Sequence, residues 1–87
     1  MRLKIIGKVQ KVWFRKSTKE RADELGLKGF VKNLDDGSVY CEVEGEAKKL
    51  DLFLKWCHQG PEFARVDTVK CEEIDLQNSD EFLVLRP

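Results

Sequence analysis

The stretch Gly7-Lys8-Val9-Gln10-Lys11-Val12-Trp13-Phe14-Arg15 passes from an alternating apolar run, through a basic turn, into a helical pattern, and it puts an arginine in the helix's first turn. A helix start carries N–H groups without partners and about half a positive charge, so a guanidinium there is unfavourable by about 0.3–1 kcal/mol unless an anion shares the site. The same N–H groups beside an arginine fork can bind phosphate or carboxylate. Arg15 is therefore either half of an anion site or one of many solvated surface charges. Asn33 is the second candidate: it closes the β-prone run Gly29-Phe30-Val31-Lys32-Asn33 and shares a sheet face with Val31. If Val31 faces the core, the carboxamide of Asn33 needs a partner, either beside the helix start or in the backbone of the Asp36-Gly37 turn that follows.

Other chemistries have weaker support. Cys41, Cys57 and Cys71 are widely spaced and odd in number, so they build neither an internal disulfide framework nor a zinc motif, and are expected to be small buried hydrophobes. His58 is a lone histidine near the end of a helical pattern, where it can complement the helix dipole, with no carboxylate or cysteine spacing that suggests a triad or metal. Trp13 and Trp56 read as packing or rim residues, and Glu72-Glu73 as the mark of a solvated edge strand. Lys plus Arg equals Asp plus Glu at 16 each, which argues against a domain built to hold a polyanion. No run is long and apolar enough to span a bilayer, and the N-terminus has no signal-peptide core, so the expected location is cytoplasmic.

The elements that must position Arg15 and Asn33 follow from periodicity. Leu3, Ile5, Gly7 and Val9 alternate with Lys4, Ile6, Lys8 and Gln10 as a strand; Phe14, Thr18, Ala22 and Leu25 then fall three or four apart, a helix that Gly26 stops. Gly29 to Asn33 and Val39-Cys41-Val43 form a hairpin around Asp36-Gly37. Leu50, Phe53, Leu54 and Cys57, widened by Leu52 and Trp56, trace a second helix ended by Gly60-Pro61. Val66 to Leu76 is strand-like, and Phe82 to Leu85 is a short terminal strand. At 87 residues the chain is expected to be one domain, 1–87, with a thin core and any site at an edge. The order β-α-β-β-α-β(-β) predicts an α+β, ferredoxin-like sandwich: an antiparallel sheet of four to five strands with two helices on one face. That topology puts the end of the second strand, with Asn33, at the same edge as Arg15.

Four segments together resemble the acylphosphatase family: Gly7 to Arg15, Leu25-Gly26-Leu27-Lys28-Gly29-Phe30-Val31-Lys32-Asn33, Asp36-Gly37-Ser38-Val39, and Gly60-Pro61-Glu62-Phe63-Ala64-Arg65-Val66. The resemblance implies a metal-independent hydrolase without cofactor, cleaving the carboxyl-phosphate anhydride of an acyl phosphate to carboxylate and inorganic phosphate. It puts the catalytic arginine at Arg15 and the catalytic asparagine at Asn33, with the phosphate held by the loop amides of Gln10, Lys11, Val12, Trp13, Phe14 and Arg15. The implied partners are a small-molecule acyl phosphate and inorganic phosphate as product and inhibitor, with a monomer that binds neither nucleic acid nor membrane. One departure stands out: the family usually reads Val-Gln-Gly-Val, and this chain reads Val9-Gln10-Lys11-Val12. If the loop is left-handed there, lysine costs about 1–2 kcal/mol where glycine would not, or it adds charge that draws substrate in. Lys11 also motivates the alternative of a catalytically weak acylphosphatase-like domain that binds an anion or a protein. The topology is shared with RNA-recognition domains, but Lys28-Gly29-Phe30-Val31-Lys32 lies on the second strand, not the third as their motif requires.

Overall fold

In the computed structural model, which describes residues 1–86, the chain runs β1 (Arg2–Lys8), α1 (Phe14–Glu24), β2 (Lys28–Asn33), β3 (Val39–Glu44), α2 (Ala47–Gln59), β4 (Arg65–Glu72) and β5 (Phe82–Val84). The last position of the expected 1–87 domain lies outside the described residues. The alternation in β1 and β3 resolves into two faces, with Leu3, Ile5, Val39, Cys41 and Val43 buried and their neighbours half-buried or exposed. Helix α1 buries Phe14, Thr18 and Ala22, and α2 buries Phe53 and Cys57 on the same side of the sheet. Phe53 touches Trp56 at 6.4 Å and Phe82 at 6.3 Å between ring centroids, joining the second helix to the last strand.

The end of α1 follows from its residues. Gly26 has φ 70°, and its N–H donates to the Asp23 carbonyl while that of Leu27 donates to Ala22, so two of the last helical carbonyls are satisfied. Leu27 is then buried against the core. This is the glycine-terminated stop that the helical period of Phe14 to Leu25 led up to.

The five strands lie in the order β4-β1-β3-β2-β5. All pairs are antiparallel except β2 with β5, which run parallel with Gly29 opposite Phe82 and Val31 opposite Val84. The sheet is thus mixed, a correction to the expected fully antiparallel one. After β4 the chain crosses from one edge of the sheet to the other, where the Ser79 N–H donates to Glu44 Oε1 at 2.8 Å, and β5 then starts at the same end as β2. Strand β4 also ends at Glu72, before the expected Leu76, because Glu72 already faces Arg2, the first residue of its only paired neighbour. Cys41 and Cys57 are buried, and burial pushes both thiols up, which keeps them protonated packing groups. Cys71 is exposed, contrary to expectation, because it sits on an edge strand with little packed over it.

Candidate active site

The site is built where β1, β2 and β5 all end. Between β1 and α1 the chain turns through Lys11 at φ 62° and Trp13 at φ 64°, both left-handed, while the intervening Val12 is not. Val12 and Phe14 are buried and pin the turn to the core, whereas Lys11 and Trp13 point outward. Such alternation of left-handed and ordinary residues is the backbone pattern of anion-binding nests. Trp13 is the N-cap of α1, yet no side chain caps this helix and no acidic residue lies in its first turn. The first bond into the helix is from the Ser17 N–H to the Trp13 carbonyl. Among the described residues, the backbone N–H groups of residues 10–15 have no protein acceptor.

Two side chains tie this turn to the strand ends. Gln10 Nε2 donates to the carbonyls of Leu34, at 2.7 Å, and Ser38, at 2.9 Å, clamping the turn to the β2–β3 connection directly after Asn33. Both Nε2 hydrogens of Gln10 are thereby committed, and its backbone N–H is the donor left for an anion. Arg15 is half-buried, and its Nη1 donates at 3.3 Å to the Leu85 carbonyl just beyond β5; the Leu85 N–H donates in turn to Val31, two residues before Asn33. The guanidinium is therefore linked through Leu85, the residue that follows β5, to the row that ends in Asn33. That bracing by Leu85 was not foreseen from sequence, where nothing near Leu85 hints at a partner so remote along the chain.

Asn33 is the polar end of the core-facing row. Its Oδ1 is buried and has no hydrogen-bond partner. It does not cap the turn after it: that turn is closed by the Leu34 N–H to Ser38, the Gly37 N–H to Leu34, and the Ser38 N–H to Asp36 Oδ1 at 2.9 Å. Asp36 is also gripped by Lys4 Nζ at 2.8 Å, and Lys4 together with the Ser38 donors holds its carboxyl well below the usual carboxylate range. Asp36 is thus committed to the turn and stays ionised. His58 is exposed on the last turn of α2, and among the described residues no hydrogen bond or ion pair links it to any of these. No group of three or more potential metal-ligating side chains occurs among the described residues.

Fold and site together define an α+β sandwich with an uncapped, arginine-bearing loop at one edge of its sheet. The acylphosphatase family model matches residues 1–84, and the chain belongs to that family. It is similar to the acylphosphatase of Nitrosococcus oceani, with 44% identity over 97% of this chain and 94% of that one. It is also similar to that of Rubrobacter xylanophilus, with 51% identity over 84% of this chain and 66% of that one. The structure of an acylphosphatase from Coxiella burnetii superposes with a TM-score of 0.94 at 38% identity, covering 97% of this chain and 88% of that one. Membership of the family makes the chain a hydrolase of acyl phosphates. No helix is long and apolar enough to cross a membrane among the described residues.

Proposed function

We propose that Arg15 and the N–H groups of residues 10–15 hold the phosphoryl group of an acyl phosphate while Asn33 orients the attacking water. The observation that carries this reading is the pairing of an uncapped, unpartnered turn with a buried carboxamide oxygen that has no partner, both tied to the end of β5. A buried acceptor left unsatisfied costs roughly 1–3 kcal/mol, and a water donating to Asn33 Oδ1 removes that cost. The water oxygen attacks phosphorus as the bond to the bridging oxygen breaks. The acyl group leaves as a carboxylate, and the proton passes to a phosphate oxygen.

The residue types suit this division. A carboxylate is a good leaving group, so no strong general acid is needed, and catalysis reduces to positioning and to fixed donors around the phosphoryl oxygens. A second carboxylate beside the phosphate would repel it, whereas an amide orients water without charge. The reaction needs no metal or organic cofactor, the protein acts as a cytoplasmic monomer, and the equal numbers of cationic and anionic residues, 16 of each, fit a domain whose ligand is a small anion and not a nucleic acid.

The test is turnover of benzoyl phosphate by pure protein in the presence of a chelator. Arg15→Ala is expected to lower kcat/KM by about 10³-fold, as loss of an arginine on a phosphoryl group does. Asn33→Ala is expected to lower kcat by about 10²-fold with a smaller change in KM. Inorganic phosphate should inhibit competitively. Unchanged turnover in both variants would remove the assigned roles.

A further inference from the structure

Beside the proposed phosphate site lies an open groove of about 500 Å³ between the start of α1 and β5, which the reaction as described leaves unused. Its walls include Trp13, Arg15, Lys16, Lys19, Leu83 and Arg86. Trp13 is 71% exposed and Leu83 44% exposed, so the groove offers apolar surface to solvent. The rim is basic. Lys16 Nζ lies 5.6 Å from the Trp13 ring, and neither Lys16 nor Arg86 has an ionic partner among the described residues. Lys19 is committed to Asp23 at 3.1 Å and to the Phe82 carbonyl at 2.8 Å, and Glu81 is the one acid on the lining. Asn33 opens instead to a neighbouring cleft lined also by Lys32, Leu34, Asp35 and Leu85, with Arg86 shared between the two.

We propose that this groove receives the acyl part of the substrate, and that it favours acyl phosphates with an apolar body ending in a carboxylate. The proposal rests on the phosphate site described above and extends it. In-line displacement requires the leaving oxygen to depart on the side of phosphorus away from the attacking water. With water held in the Asn33 cleft, which Arg15 does not line, the leaving group points toward the groove that Arg15 does line. The volume falls within the range that accommodates small organic ligands, and the indole and Leu83 supply its apolar surface. Once Arg15 is assigned to phosphate and Lys19 to Asp23, Lys16 and Arg86 are the cations left on the lining to meet a carboxylate of the acyl part, with Glu81 partly opposing them.

Kinetics with four synthetic substrates separate the possibilities: acetyl phosphate, benzoyl phosphate, 4-carboxybenzoyl phosphate, and its neutral isostere 4-carbamoylbenzoyl phosphate. The wild-type protein is expected to prefer the carboxylate over the carbamoyl compound by about fivefold in kcat/KM, a preference that shrinks between roughly 20 and 200 mM salt. Because exposed ion pairs are weak individually, Lys16→Gln with Arg86→Gln should bring that ratio close to one. Both residues are exposed, so the double variant should fold. Leu83→Ser should lower the preference for benzoyl over acetyl phosphate about threefold, as loss of part of an apolar contact does. Equal ratios in wild type and variants, with benzoyl phosphate turned over normally, would overturn the groove assignment and leave the phosphate site standing. Absence of benzoyl phosphate turnover in the wild type would overturn the phosphate site itself.

Discussion

Asn33 sets catalytic use against stability within a single side chain. Its buried Oδ1 has no partner among the described residues, so that atom contributes no hydrogen bond to the fold. Asn33→Ala should therefore leave the urea midpoint unchanged or raised while activity falls, whereas an asparagine that capped its turn would lose stability on removal. Lys11 is strained for a different reason. It holds φ 62°, the left-handed conformation that a side chain resists, in the position where the family usually carries glycine. Lys11→Gly is expected to raise unfolding free energy by about 1 kcal/mol, read as a higher urea midpoint at unchanged slope. Low-salt phosphate affinity should fall in the same variant, since a positive charge beside the loop is lost.

Among the elements, the β2–β3 connection does most to assemble the site, because Gln10 reaches it from the β1–α1 turn. Its conformation depends on an ionised Asp36 held by Lys4 and Ser38. The folded carboxyl titrates below its unfolded value, so its contribution is complete above the ordinary carboxylate range, near pH 4, and is lost as pH falls through and below that range. The stability difference between wild type and Asp36→Asn should accordingly be full at pH 7 and shrink below about pH 4, as urea titrations at several pH values would show. At the bend of β1, Gly7 has φ 144° where the pairing register with β4 shifts, and an added Cβ would run into the Arg65 carbonyl. Gly7 thereby lets β1 and β4 stay paired up to the edge from which the phosphate turn departs.

For the whole molecule, one thin core holds both ends of the site in place. Phe53 is fully buried and contacts Trp56 and Phe82, so it couples α2 to the strand whose following residue braces Arg15. Phe53→Ala should cost about 3–5 kcal/mol, a large share of the roughly 4–13 kcal/mol available to a domain of this length. Denaturation should show this as a much lower midpoint. Saturating phosphate should recover part of the loss, about 2.7 kcal/mol at a concentration 100 times its Kd.

The amino-acid order alone determined what depends on near neighbours. The apolar alternation of Leu3, Ile5, Val39, Cys41 and Val43, the helical spacing of Phe14, Thr18 and Ala22, and the glycine stops at Gly26 and Gly60 are each written within a few residues, and they were enough for the α+β order and for which edge Arg15 and Asn33 share. Tertiary structure decided what depends on which remote residue lies across the sheet. The early end of β4, the parallel direction of β5, the exposure of Cys71, and the links from Gln10 to Leu34 and from Arg15 to Leu85 are all of this kind. Hydrogen bonds between segments are set by the register of long-range pairing, and a local pattern carries no record of the partner that register will supply.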